Sequence, residues 1–163
     1  MSDASFTAAA TEVLERCRQR GWRLATAESC TGGLIAGALT EIAGSSDVVE
    51  AGFVTYSNAA KTAMLGVPAA LIDNVGAVSR EVAVAMAEGA LARLPQIALA
   101  VAVTGIAGPG GATPGKPVGL VHFALAGRDR PTLARHEVFP GDRRAVRQAT
   151  VALALALLGE AVA

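Results

Sequence analysis

Residues 97–103 read Ile97-Ala98-Leu99-Ala100-Val101-Ala102-Val103 and open directly into Thr104-Gly105-Ile106-Ala107-Gly108. A continuous apolar run of this kind is what a strand buried on both faces requires, because neither side of its pleat meets water. Such strands sit in sheets covered by helices, so the flanking segments should be largely helical.

Upstream, Ser79 stands as N-cap of a helix over residues 79–94 that Pro95 ends. Before it come a short helix over 68–74 and one over 59–65, the latter capped by Ser57 or Asn58. Farther back lie a strand at 48–56, a helical pattern closing at Ile42 before the break Gly44-Ser45-Ser46, and a strand at 22–27. The first helix, residues 5–20, sets Ala8, Ala9, Val13, Leu14 and Cys17 at helical spacing and ends at Gly21. Downstream, residues 118–126 and 132–139 read as two strands joined across Gly127-Arg128-Asp129-Arg130, and Asp142 caps a final helix through Ala161. Helices between most strands predict an α/β fold, a three-layer α/β/α sandwich around a mixed, mainly parallel sheet. No internal repeat or linker divides residues 1–163, which read as one domain.

The composition narrows the function. Hydrophobic residues make up 52% of the chain, many of them Ala and Val, so the core is built from small side chains that let backbones approach closely. Fourteen basic residues balance fourteen acidic ones, and one Trp, one Tyr and four Phe offer no stacking platform. A partner held by its phosphate backbone calls for a basic excess, so nucleic acid is not expected. Cys17 and Cys30 form no disulfide framework and the start MSDASF lacks the regions of a signal peptide, which points to the cytoplasm. The longest apolar stretch, 149–158, is about half the ~20 residues that span a bilayer, so no membrane association is expected.

In open α/β sheets ligands bind beyond the carboxyl ends of the strands. Three such points carry chemistry: Glu28-Ser29-Cys30-Thr31-Gly32-Gly33, then Tyr56-Ser57-Asn58 with Lys61, then Thr104-Gly105-Ile106-Ala107-Gly108. If their strands are parallel neighbours, all three meet in one cleft. Ser29 stands between a strand and a helix, where it is a nucleophile candidate or simply a helix cap. The amides of Thr31, Gly32 and Gly33 would be unpaired at a helix N-terminus, able to hold an oxyanion or a phosphate. Lys61 falls in the first turn of its helix, where the dipole disfavours a cation by roughly 0.3–1 kcal/mol. Lowering a lysine pKa from about 10.4 to about 8 takes roughly 3.3 kcal/mol, so burial must supply the rest. A neutral, buried Lys61 could then take the Ser29 proton, whereas a solvated Lys61 would be ordinary surface.

Other patterns carry less. His122 and His136 lie in expected strands with no further ligand at metal spacing, so no metal site is read. Cys30 adjoins Ser29 but has no histidine in a suggestive place. Residues 110–116 follow the phosphate-loop pattern up to Lys116, yet Pro117 replaces the Ser/Thr that would hold magnesium and a strand follows, which excludes that motif.

The phrases Thr26-Ala-Glu-Ser-Cys-Thr-Gly-Gly33, Gly52-Phe-Val-Thr-Tyr-Ser-Asn58, Gly76-Ala-Val-Ser79, Thr104-Gly-Ile-Ala-Gly-Pro109 and Phe139-Pro-Gly-Asp-Arg143 together closely resemble the CinA C-terminal-domain family, the nicotinamide-nucleotide amidases. The resemblance covers nearly the whole chain. It implies hydrolysis of nicotinamide mononucleotide to nicotinate mononucleotide and ammonia in pyridine-nucleotide salvage, with no metal and no cofactor. It further implies Ser29 as nucleophile and Lys61 as base, with Tyr56 and Thr104 supporting them. Many relatives carry a larger preceding domain; the resemblance here is to the stand-alone form.

The substrate phosphate needs donors, for which Ser45 or Ser46, the loop from Gly105 to Gly111, and Arg143 or Arg147 are the candidates. The rival readings are a serine-lysine amidase for another small amide and a nucleotide-binding regulatory module without turnover. In the final helix Val151, Leu153, Leu155, Leu157 and Leu158 leave no polar face. Such a helix must be buried on more than one side. A homo-oligomer with this helix at or near the interface is therefore expected, unless the first helix covers it through Val13 and Leu14.

Overall fold

The computed structural model describes residues 3–163. Helix α1 (Asp3–Arg20) leads into β1 (Leu24–Glu28), α2 (Leu34–Thr40), a 3-10 turn (Ser45–Asp47), β2 (Val49–Val54), α3 (Asn58–Leu65), α4 (Ala69–Val75) and α5 (Arg80–Arg93). The chain continues through β3 (Leu99–Gly105), β4 (Leu120–Gly127), β5 (Arg130–Val138) and α6 (Arg143–Ala161). One five-stranded sheet holds the order β2-β1-β3-β4-β5, with β1 parallel to β2 and β3, β4 antiparallel to β3, and β5 antiparallel to β4. The three strands expected to deliver the site, β1, β2 and β3, are therefore parallel neighbours.

Alternation along β3 assigns the two layers. Leu99, Val101 and Val103 face a cluster with Val13, Leu14, Ile35, Leu39, Val151, Leu155 and Leu158, from α1, α2 and α6. Ala100 and Ala102, with Ala25, Ala27, Ala124 and Ala126 beside them, face Val82, Ala83, Met86 and Ala87 of α5. A sheet face made of alanine lets a helix come close, and α5 lies across β1, β3, β4 and β5. Gly89 extends the same logic: a Cβ there would sit 2.0 Å from the Leu65 carbonyl oxygen, so glycine lets α5 abut the end of α3.

The elements match the expected order with shifted ends. Helix α2 begins only at Leu34, because Gly32 and Gly33 take positive φ of 58° and 102°, and the preceding turn is not helical. Strand β3 runs on to Gly105, past the apolar run. In α1 the buried stripe is Ala10, Val13, Leu14 and Cys17, while Ala8 is exposed. Ser57, Ser79 and Asp142 all cap as expected, accepting from the amides of Ala60, Val82 and Ala145. Helix α6 packs against α1 on one side and the sheet on the other, while its outward stripe of Ala149, Ala152 and Leu153 is half-buried and Ala156 is exposed. One chain therefore covers most of α6 and leaves this apolar stripe in part to solvent. No helix among the described residues is long and apolar enough to cross a membrane.

Candidate active site

Three carboxyl ends converge as the topology requires. The turn after β1 carries Ser29, tied down by its amide to the Val103 carbonyl of β3 at 3.2 Å. The segment after β2 carries Thr55 and Tyr56 and then α3 with Lys61. The end of β3 supplies Thr104 and Gly105. A cavity of about 260 Å³ opens between them, lined by Ser29, Cys30, Tyr56, Lys61, Thr104 and Gly108, among others.

Lys61 is 1% exposed, a long cationic side chain buried in full. Its Nζ lies 2.9 Å from Ser29 Oγ and donates to the Thr55 carbonyl at 2.7 Å. No carboxylate among the described residues pairs with it. Burial pulls its pKa below the usual lysine value of 10.5, with only the nearby Cys30 thiol pulling the other way. A desolvated amine with no counter-ion favours its neutral form. Neutral, it keeps a lone pair, and Ser29 Oγ lies within the reach a general base needs. Cys30 is buried and pushed up to about 11, chiefly by burial, so beside Ser29 it is the inert member.

The nearest acid is Glu28, the residue before Ser29, and it is fully committed elsewhere. Its Oε1 accepts from Thr31 Oγ1 at 2.6 Å and the Ile35 amide at 2.9 Å; its Oε2 accepts from Thr26 Oγ1 at 3.2 Å and the Ala36 amide at 3.0 Å. Gly33 has no side chain to cap α2, and Glu28 takes over that task from across the turn. Sequence reading passed over Glu28 and the Thr55 carbonyl. An acid directly before the turn, followed by a helix whose N-cap is glycine, was the signal for the former.

Tyr56 is 60% exposed at the mouth, where Arg143 donates to its hydroxyl at 2.8 Å and to the Gly108 carbonyl at 2.8 Å. That pair of bonds laces the β2 side of the cavity to the glycine-rich loop. Thr104 is buried and donates to the Ala77 carbonyl at 2.9 Å, fixing the loop before α5.

Ser29, Lys61, Tyr56, Thr104, Gly105 and Arg143 therefore come together at one cavity. The remaining expected residues do not line it. Thr31 is fully buried and spends its hydroxyl on Glu28. The Gly32 amide closes the turn onto the Ser29 carbonyl at 3.0 Å, so it is not free for an oxyanion. Gly33 and Arg147 line a larger, mainly apolar groove of about 1290 Å³ between α2 and the start of α6, which shares Ala107 and Arg143 with the smaller cavity. Arg147 donates to the Cys30 and Thr31 carbonyls at 3.1 and 3.3 Å, bracing the Ser29 turn from behind. Ser45 and Ser46 precede β2, at the amino end of the sheet, while Ser29 follows the carboxyl end of β1; a full strand length separates them. In place of the Gly32 amide, those of Ala107 and Gly108 border the cavity and donate to no protein acceptor among the described residues. His122 and His136 face each other across β4 and β5 with ring centroids 5.4 Å apart, and no group of three or more metal-ligating side chains stands together among the described residues.

Fold and site together define a class: an α/β protein with a buried serine-lysine pair at the carboxyl end of its parallel strands. A model of the CinA C-terminal domain matches residues 6–162, and the chain belongs to that family. Among its relatives, the nicotinamide-nucleotide amidohydrolase PncC of Pseudomonas putida is 52% identical over 150 residues, covering 92% of both chains. A CinA-like protein of Mycolicibacterium vanbaalenii is 53% identical over 142 residues, which are 87% of this chain and 33% of that one. The chain thus spans about a third of the longer CinA-like relatives. The crystal structure of the competence/damage inducible protein CihA from Agrobacterium tumefaciens has a TM-score of 0.93 at 50% identity, covering 97% of this chain and 95% of that one.

Proposed function

We propose that this chain hydrolyses the carboxamide of nicotinamide mononucleotide, releasing ammonia and nicotinate mononucleotide, through Ser29 and Lys61 and without a metal ion. The observation that carries the reading is the 2.9 Å contact between Ser29 Oγ and a fully buried Lys61 that has no acidic partner among the described residues. The substrate class comes from the amidohydrolase relatives of nearly equal length.

In this mechanism neutral Lys61 accepts the Ser29 proton as Ser29 Oγ bonds to the carboxamide carbon. Amides of Ala107 and Gly108 receive the developing oxyanion. The Lys61 ammonium then gives its proton to the departing nitrogen, which leaves as ammonia, and an acyl ester remains on Ser29. Water adds to that ester, Lys61 takes its proton, and the proton returns to Ser29 as the acid departs. The Thr55 carbonyl holds one N–H of Lys61 throughout and aims the lone pair at Ser29. Arg143 and the glycine-rich loop are the phosphate donors nearest the reacting pair. A cytoplasmic location belongs to the same proposal, since Cys17 and Cys30 are free and buried, as a reducing compartment permits.

Ammonia release from nicotinamide mononucleotide by the purified chain tests the reading. Turnover of other small amides in preference to this one would leave the serine-lysine chemistry and replace the substrate. Tight nucleotide binding with no ammonia would make the chain a binding module.

A further inference from the structure

The buried Glu28 side chain stands directly before Ser29 and has no task in the mechanism. Its four donors come from β1, the Ser29 turn and the first turn of α2, so one side chain joins both ends of the segment that carries the nucleophile. Glu28 itself ends β1 in register with Val54 and Val103, which fixes where the segment begins. Residues 29–33 between these anchors have no strand partners of their own beyond the Ser29 amide, and two of them are glycines at positive φ. A turn of that composition has many conformations available, and Ser29 Oγ must occupy the one that meets Lys61.

We infer that Glu28 is a positioning residue for Ser29, a carboxylate clasp that holds the nucleophile turn against α2. The inference rests on the serine-lysine reading above. The clasp requires an acceptor at both oxygens. The hydroxyls of Thr26 and Thr31 can rotate to accept a bond, but the amides of Ile35 and Ala36 can only donate. A carboxamide at position 28 satisfies one helix amide and turns its NH2 on the other in either orientation. Glu28→Gln keeps the volume and breaks the clasp on one side.

The test reads Ser29 directly, by its second-order rate of labelling with a fluorophosphonate serine probe, alongside kcat and KM for ammonia release. Wild-type protein should be labelled at Ser29. Folded Glu28→Gln, with its fold checked by circular dichroism and urea unfolding, should be labelled at least tenfold more slowly. Its kcat should fall in parallel and its KM stay within about threefold, because no substrate contact is lost. Thr31→Val withdraws one donor while both helix amides keep their acceptors; it should slow labelling about threefold, and Thr31→Ser should restore it. This second pair decides the question if Glu28→Gln does not fold. Labelling of folded Glu28→Gln at the wild-type rate, or of Thr31→Val where Glu28→Gln cannot be made, overturns the clasp while leaving Ser29 as nucleophile. A wild-type protein that cannot be labelled at Ser29 overturns the serine-lysine reading and the clasp with it.

Discussion

Lys61 makes the sharpest demands at the scale of single residues. Ser29→Ala should lower ammonia release at least about a thousandfold in a folded protein, and near-normal turnover would remove Ser29 from the chemistry. Lys61→Arg should lose about a hundredfold or more, because a guanidinium stays protonated and cannot act as base. The activity of the wild type should rise with pH through the lowered Lys61 pKa, so the acid limb of kcat/KM lies below 10.5. Stability follows the same group. A lysine whose folded pKa is depressed binds more protons unfolded, so its burial opposes folding below 10.5 and this penalty shrinks as pH rises from the lowered value to 10.5. Cys17 and Cys30, both raised from 9.0 to about 11, act oppositely, since their contribution is full below 9.0 and is lost as pH rises through about 11. Cys30 is coupled to Lys61, so Lys61→Met is compared with its parent in a Cys30→Ala background, where Cys17 is common to both and the difference isolates the lysine. Between pH 7 and 10 the stability of the Lys61 protein from urea unfolding should rise relative to that of its Lys61→Met counterpart, and identical slopes would mean that Lys61 is charged in the folded state.

At the scale of elements, the position of Lys61 is set by how α3 meets its neighbours. Its helix is started by the Ser57 cap and ended by Gly66 at φ 70°, and the last turn lies under α5 at Gly89. Gly89→Ala should cost about 1–3 kcal/mol through overpacking against the Leu65 carbonyl. The up to ~1 kcal/mol gained from helix propensity does not offset this. Because the displaced element carries Lys61, turnover should fall as well. A stable and fully active Gly89→Ala, measured by urea unfolding and ammonia release, would show that α3 can shift without moving the base. The caps were legible from residue type alone, whereas this contact was not: nothing in the order of α3 and α5 along the chain says that their ends touch.

For the whole molecule, two outcomes follow from how the layers close. The proposed chemistry runs on Lys61, so prolonged treatment with a strong chelator should leave ammonia release unchanged; loss restored by a divalent ion would overturn the metal-free mechanism. A homo-oligomer with α6 at or near its interface remains a proposal, supported by the apolar outward stripe Ala149, Ala152, Leu153 and Ala156 that one chain does not fully cover. Ala156, exposed on α6, is the probe. Ala156→Glu should lower the mass seen by light scattering from that of the wild type, and an unchanged oligomer would place the interface elsewhere.

The apolar run at 97–103 and the residues that follow each strand determined the layered α/β class and marked Ser29, Lys61, Tyr56 and Thr104 as strand-end residues that meet once their strands are parallel neighbours. Both are consequences of local pattern, since burial periodicity marks the strands and parallel strands present their carboxyl ends on one side. The tertiary structure alone decided the rest. Only it showed that Thr31 and the Gly32 amide are consumed inside the turn, that Arg147 braces it from outside the cavity, and that Ser45 and Ser46 stand at the other end of the sheet. It also showed that Glu28 turns toward α2 and leaves Lys61 without a counter-ion. Which donor meets which acceptor, and whether a lysine is buried alone, depends on contacts between segments far apart in the chain, and residue type and spacing do not encode them.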